Sequence, residues 1–233
     1  MSKLTCVSGY WNVHNKHGDK YMNWFHTSLK INCPYVFFSD KETIEIIKQY
    51  RQDLPTFYIE CDIEQFVTYP YKDKMISHPT HCPDVLLNLI WNEKIFLIQK
   101  ALKINPFQSD FFCWVDAGIC IYRDKLPPLT PFPTIDKLNK LPKNQFLYSS
   151  SNPYYEDAVQ PTNYYHHISG TSYILHKNII HDFAQLYQHY LTKLVNKFNI
   201  WTDQIILTHM FKNHRYLFHK VCDGYGEIVA ELY

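Results

Sequence analysis

Ser109-Asp110-Phe111-Phe112-Cys113-Trp114-Val115-Asp116-Ala117-Gly118 is the stretch of sequence that decides the fold. Its centre, Phe111 to Val115, is continuously apolar, rich in aromatic residues and too short for a helix, which predicts a central strand covered on both faces. Asp116 follows that strand, so its carboxylate is expected at the carboxyl edge of the sheet, where open α/β sheets bind ligands. The small residues Ala117 and Gly118 leave room for a ligand to approach the backbone. A charge in this position needs a partner, and a divalent cation carrying phosphates is one candidate.

Strand and helix patterns alternate along the rest of the chain. Strands are expected at 4–7, 35–38, 57–60, 111–115, 146–149, 173–175 and 216–218, and helices at 21–29, 41–49, 84–102, 179–198 and 202–211. This alternation predicts an α/β fold with a mostly parallel central sheet flanked by helices, of Rossmann-like type. The chain of 233 residues has no internal repeat and no linker, so one domain over residues 1–233 is expected.

The composition of the chain argues against several classes of function. The formal net charge of +1 gives no sign of bulk attraction to nucleic acid or to a membrane, so no nucleic-acid partner is expected. The 6 glycines are scattered and form no phosphate-cradling loop, which argues against kinases and Rossmann-type dinucleotide binders. No apolar run is long enough for a transmembrane segment, and the N-terminus lacks the apolar core of a signal peptide. The 7 cysteines have no repeated spacing and fit a reducing compartment, so a cytoplasmic protein is expected.

Four short segments, in order along most of the chain, carry a resemblance to a known family. They are Ile90-Trp91-Asn92-Glu93-Lys94, Asn105-Pro106-Phe107-Gln108-Ser109-Asp110, Trp114-Val115-Asp116-Ala117-Gly118 and Thr202-Asp203-Gln204. With these segments the chain resembles the HtrL/YibB-like family, a group with the glycosyltransferase A fold. The resemblance implies a glycosyltransferase that moves a sugar from a nucleotide-diphosphate sugar to a glycan or other hydroxyl acceptor. It also implies assistance by Mn²⁺ or Mg²⁺.

The metal site departs from the pattern of this fold. Glycosyltransferases of the fold commonly end the equivalent strand with two acids separated by one residue. Here the second acid is absent if Asp116 is the first, and Trp114 replaces the first if Asp116 is the second. Either register leaves one carboxylate, so the dependence on metal stays open. His219, directly after the strand expected at 216–218, is the candidate for a further metal ligand beside Asp116.

The donor substrate needs groups that neutralise a diphosphate and groups that contact a nucleoside. A lysine or arginine can serve the first need as well as a metal ion. Lys94 in the long helix and Arg123 are the candidates, although Lys94 would equally fit a solvated helix face. Ser8, Gly9 and Tyr10 end the first strand and suit contacts with base and ribose, or form a plain strand-to-loop turn.

The acceptor side is expected near two later segments. Residues 168–172 form a small-residue turn whose Gly170 would border donor sugar and acceptor. Thr202 fits a helix cap, and Asp203 gains from the helix dipole whether or not it has a catalytic role. The resemblance suggests that Asp203 or Gln204 faces the anomeric carbon or the acceptor hydroxyl. Asp203 as general base would give inversion, whereas Gln204 on that face would favour retention, and the sequence leaves both open.

Two other functions also remain open. The missing second acid favours a non-catalytic nucleotide- or sugar-binding relative, and a nucleotide-sugar hydrolase would need the same donor site. Structural zinc is not expected, because His78-Pro79-Thr80-His81-Cys82 has no second cluster of ligands to match it.

Overall fold

The strand that precedes Asp116 lies at the centre of a seven-stranded sheet. A computed structural model describes residues 3–160 and 165–233. The strands are β1 (Leu4–Gly9), β2 (Tyr35–Ser39), β3 (Thr56–Glu60), β4 (Phe111–Val115), β5 (Phe146–Ser150), β6 (Ile168–His176) and β7 (Phe218–Asp223). Their order across the sheet is β3-β2-β1-β4-β6-β5-β7.

Most neighbouring strands are parallel. The pairs β3-β2, β2-β1, β1-β4 and β5-β7 are parallel, whereas β6 is antiparallel to both β4 and β5. Since β6 is reversed, its beginning meets the carboxyl ends of its neighbours: Val115 pairs with Ser172, and Ser150 pairs with Ile168.

Helices cover both faces of the sheet. They are α1 (Lys20–Ser28), α2 (Lys41–Tyr50), α3 (Val85–Ile104), α4 (Ile135–Asn139), α5 (Ile180–Val195), α6 (Asp203–Asn213) and α7 (Ile228–Glu231). Phe112 and Trp114 of β4 share one core with residues of α3, α5 and α6. Phe111 and Cys113 pack on the opposite face with residues of α1, α2 and α7, as the alternation of side chains along a strand requires. The predicted α/β class, with a mostly parallel sheet flanked by helices, is confirmed.

Two helix starts follow from acidic caps that the sequence places just before them. Asp40 Oδ1 accepts a hydrogen bond from the backbone N of Thr43 at 2.8 Å at the start of α2. Asp84 Oδ1 accepts one from the backbone N of Leu86 at 2.8 Å at the start of α3.

None of the helices in the described part of the chain is long and apolar enough to cross a membrane. The single domain and the cytoplasmic location stay predictions.

Two elements differ from the sequence-based expectation. Residues 168–172 were expected as a turn, but they form the first half of β6, in which every residue is buried. Small side chains are needed there because α6 packs closely on the strand. A Cβ added at Gly170 would meet Gln204 Cγ at 2.8 Å. The last strand begins at Phe218, where it was expected to end, because residues 215–217 form a 3-10 turn.

A buried polar network fixes α3 against α5. Asn92 Nδ2 donates to Asn88 Oδ1 at 2.7 Å, and the Tyr187 hydroxyl donates to Asn92 Oδ1 at 2.8 Å. Asn88 Nδ2 in turn donates to the carbonyls of Ile76 and Ile200, both at 2.9 Å. These bonds set the position of α3, and with it the position of Lys94.

Replacing Tyr187 by phenylalanine tests this network. Tyr187→Phe leaves Asn92 Oδ1 buried without its donor, so we expect the free energy of unfolding to fall by about 1 to 2 kcal/mol in urea titrations. Tyr216→Phe is the matched control, because Tyr216 is 72% exposed and its replacement should leave stability unchanged. Equal stability of Tyr187→Phe and the parent protein would contradict the role of the network.

Candidate functional site

A cavity of about 340 Å³ opens at the carboxyl edge of the sheet. Its walls come from the loop after β1, from α3, from Asp116 after β4, from the first half of β6, from the start of α6 and from Tyr225 after β7. Lys94, Asp116, Arg123, Gly170, Asp203 and Gln204 were all named from the sequence, and the structure brings them together around this cavity.

Lys94 joins the two carboxylates of the cavity. Its Nζ lies 2.9 Å from Asp116 Oδ1 and 3.7 Å from Asp203 Oδ2, and it donates to the Gly170 carbonyl at 2.9 Å. The Lys94 side chain is only 4% exposed. Burial alone would lower the pKa of Lys94, but Asp116 and Asp203 outweigh it and raise that pKa above its ordinary value. The ammonium is therefore charged and fully engaged within the protein, which excludes the solvated helix face.

The segment from Trp91 to Lys94 places its side chains on two sides of α3. Trp91 and Lys94, three residues apart, face the cavity. Glu93 points elsewhere and accepts hydrogen bonds from the backbone N of Val67 at 3.0 Å and of Thr68 at 2.9 Å. Burial raises the pKa of Glu93 to about 7, against the effect of these two bonds. Glu93 thus anchors the 67–68 loop and takes no part in the cavity.

Asp203 has the properties of a general base. Burial raises its pKa to about 6, the Lys94 ammonium opposes the rise, and the Asp116 carboxylate adds to it. Its Oδ1 accepts from the Thr202 hydroxyl at 3.1 Å. Its Oδ2 is buried and has no hydrogen-bond donor among the described residues. Lys94 Nζ lies 3.7 Å from that oxygen, so its nearest charged neighbour is the ammonium.

Gln204, by contrast, is held by other side chains. Its Nε2 lies 3.0 Å from His166 Nδ1 and donates to the Ile168 carbonyl at 3.1 Å. Its Oε1 accepts from the Tyr225 hydroxyl at 3.1 Å. Both ends of the amide are occupied, so Gln204 orients His166 and Tyr225 at the cavity.

A second, smaller cavity is lined by the strand ends that were expected to contact a nucleoside. Gly9, Tyr10 and Ala117 border a space of about 50 Å³ next to the main cavity, together with Trp91 and Trp114.

Two residues predicted to contact the ligand lie inside the protein instead. Ser8 is fully buried within β1 and lines neither cavity. Gly118 packs under α1, where an added Cβ would meet the Tyr21 ring at 2.7 Å, and its carbonyl accepts from Arg123 Nε at 3.0 Å. The prediction of ligand contact is wrong for both, because the tight packing that selects small residues here is with the protein itself.

His219 lies far from Asp116, and its assignment as a metal ligand is wrong. Because β7 begins at Phe218, His219 stands at the start of the strand and pairs with Leu147. The end of β7 that reaches the carboxyl edge is Asp223, which pairs with Ser150.

The residues around Asp116 do not by themselves fit a divalent metal ion. Asp116 Oδ1 already accepts from Trp114 Nε1 at 2.7 Å and from Lys94, and Asp203 is buried. Among residues 3–160 and 165–233, no group of three His, Cys, Asp or Glu side chains is placed to hold a metal ion. Mn²⁺ or Mg²⁺ stays a prediction that follows from the family resemblance.

Several cavity residues were not identified from the sequence. Lys16 and His17 come from the polar loop after β1. They could have been predicted from the sequence, because a loop that follows a strand at this edge of the sheet borders the ligand site. His81 and Trp201 also line the cavity, with ring centroids 5.5 Å apart and the rings stacked. The segment from His78 to Cys82, set aside as a zinc site, thus contributes an imidazole to the cavity wall.

Comparison with known proteins leaves the family undecided. No protein-family model matches the chain. No curated protein matches it either. Among solved structures it is similar to 4-diphosphocytidyl-2C-methyl-D-erythritol synthase from Anaerococcus prevotii DSM 20548, with 13% identity and a TM-score of 0.47, over 97% of this chain and 88% of that chain. That likeness is too low to carry an argument, and membership of the HtrL/YibB-like family stays a prediction.

Lys94→Met tests the balance of charge in the cavity. The variant leaves the two carboxylates without their shared cation, so we expect a loss of about 3 kcal/mol in unfolding free energy at pH 8. The loss should be smaller at pH 5. Asp203, whose pKa of about 6 would rise further without the ammonium, is protonated there and no longer repels Asp116.

Urea unfolding of Lys94→Met at the two pH values gives the measurement. Lys103→Met, an exposed lysine near the end of the same helix, is the control and should behave like the parent protein at both. An equal loss at pH 8 and pH 5 would contradict the coupling between Lys94 and Asp203.

Proposed function

We propose that the chain is a glycosyltransferase that moves a sugar from a nucleotide-diphosphate sugar to a hydroxyl acceptor, with inversion at the anomeric carbon. The observation that carries the proposal is the carboxylate of Asp203, which lines a cavity at the ligand edge of an α/β sheet. Its pKa is about 6, and one of its oxygens accepts no hydrogen bond from the described residues. The resemblance of the sequence to glycosyltransferases of the A type supports the same reaction.

In the proposed reaction the Asp203 carboxylate takes the proton of the acceptor hydroxyl. The acceptor oxygen then forms a bond to the anomeric carbon, while the bond from that carbon to the diphosphate oxygen breaks and its electron pair leaves with the nucleoside diphosphate. Lys94 keeps Asp203 partly ionised despite burial, because its ammonium opposes the rise in the pKa of that carboxyl. No step in this scheme passes through a metal ion.

Inversion follows from the roles of the two neighbouring residues. A base on the acceptor supports direct displacement from the face opposite the leaving group. Retention through Gln204 would need a free amide, whereas this amide is bonded to Ile168, His166 and Tyr225. The acceptor would enter beside the Trp201 and His81 rings, since aromatic faces suit sugar rings.

Asp203→Asn tests the assignment of the base. Loss of a positioned base should lower kcat by about 10²- to 10⁴-fold, with little change in the affinity for the nucleotide sugar. In the parent enzyme, kcat should fall as the pH drops below about 6, because protonated Asp203 cannot accept a second proton. Asp182→Asn, an exposed acid in the first turn of α5, should retain full activity. An unchanged kcat for Asp203→Asn would remove Asp203 from the mechanism.

A panel of UDP- and GDP-sugars, incubated with and without hydroxyl acceptors, separates transfer from its two rivals. Transfer requires release of nucleoside diphosphate that rises when the acceptor is added. Equal release without acceptor would identify a nucleotide-sugar hydrolase. Stabilisation by the sugar nucleotide in a thermal shift assay without any turnover would identify a non-catalytic relative.

A further inference from the structure

Lys16, His17 and Arg123 form a cluster of basic side chains on one wall of the main cavity. Among the described residues, no carboxylate lies within ion-pair distance of Lys16 or of Arg123. The cavity therefore has two kinds of charge. The carboxylates are paired with Lys94, whereas no carboxylate of residues 3–160 or 165–233 forms an ion pair with this basic cluster.

The packing of α1 holds Arg123 and His17 in place. The Arg123 guanidinium lies 3.9 Å from the centroid of the Trp24 ring, and its Nε donates to the Gly118 carbonyl at 3.0 Å. The His17 ring packs edge-on against the same tryptophan, with centroids 4.9 Å apart. A guanidinium fixed in this way is already oriented for a ligand, so little conformational entropy is lost on binding.

The close approach of these groups is unfavourable in the absence of an anion. Burial and then Arg123 lower the pKa of Lys16. Burial, Arg123, Lys16 and Lys20 together lower the pKa of His17 to about 4. At neutral pH His17 is therefore uncharged and can only donate a hydrogen bond. The repulsion between Lys16 and Arg123 is relieved when an anion binds between them, and that relief adds to the affinity for the anion.

We propose that Lys16, His17 and Arg123 bind a diphosphate group directly, without a divalent metal ion. That this diphosphate belongs to a nucleotide sugar rests on the function proposed above. Arginine matches phosphate oxygens with two parallel N–H donors, and lysine adds a mobile charge. Lys94 cannot take this role, because its ammonium is held by Asp116, Asp203 and the Gly170 carbonyl.

The proposal also accounts for the single acid in Asp116-Ala117-Gly118. A metal-bound diphosphate needs carboxylates around the metal, whereas the carboxylate here is bonded to a lysine and a tryptophan. The side-chain cations of the basic cluster take over the neutralisation of the leaving group, so a second acid is not required.

Calorimetric titration with inorganic pyrophosphate and with UDP, in excess EDTA and in excess Mn²⁺, tests this site. Binding in EDTA should be within about threefold of binding in Mn²⁺. Lys16→Gln and Arg123→Gln should each weaken it about tenfold in EDTA, since each removes one cation from the ligand. Arg123→Lys should recover part of the loss. Lys20→Gln is the matched control, because Lys20 has the same charge nearby but does not line the cavity, and it should bind as the parent protein does.

Several outcomes would overturn the site. One is binding of pyrophosphate and UDP only when Mn²⁺ is present, and another is no binding of either compound by the folded protein. Equal affinities of Lys16→Gln, Arg123→Gln and Lys20→Gln would overturn it as well. Thermal melts of each variant show that weakened binding does not come from unfolding.

The anion site and the proposed activity can fail separately. Pyrophosphate binding in EDTA that is weakened in Lys16→Gln and Arg123→Gln, in a protein that never turns over a sugar nucleotide, would retain the site and remove the glycosyltransferase. Sugar transfer that is unaffected in both variants would retain the glycosyltransferase and remove the site.

Discussion

The ammonium of Lys94 holds together the elements that meet at the carboxyl edge of the sheet. It is buried, and it brings together α3, the end of β4, the first half of β6 and the start of α6 through Asp116, the Gly170 carbonyl and Asp203. Two buried or half-buried carboxylates this close would repel each other without a shared cation. The cation therefore allows the protein to keep an acid of pKa about 6 facing a cavity while its neighbour stays in place.

Much of the architecture follows from local sequence patterns. The five apolar residues before Asp116 could be assigned to a central strand because only a short strand buried on both faces suits them. The acids at positions 40 and 84 mark helix starts because a carboxylate there satisfies backbone N–H groups. Asp116 and Asp203 could be grouped because the ends of strands and the starts of helices meet at one edge of an α/β sheet. Lys94 lies in the middle of α3, and the family resemblance was what favoured it as a site residue.

Other parts of the site depend on contacts that no local pattern contains. Lys16 and His17 lie in a polar loop, and it is the packing of His17 and Arg123 on the Trp24 ring that brings this loop and Arg123 to the same wall of the cavity. His219 was misplaced because the last strand starts two residues later than its aromatic pattern suggests, which moves the histidine to the opposite end of the strand. Gly170 was taken for a turn residue, yet it is small because α6 lies directly on its strand.

The reversed direction of β6 has a consequence for how this protein can be compared with others. Its amino-terminal half supplies main-chain carbonyls to the site, from Gly170 to Lys94 and from Thr171 to the backbone N of Asp116. Every amino acid carries such an oxygen, so these bonds survive a change of residue type provided that the chain trace is kept. An alignment of residue identities would give this strand little weight, whereas a superposition of backbones would recover it.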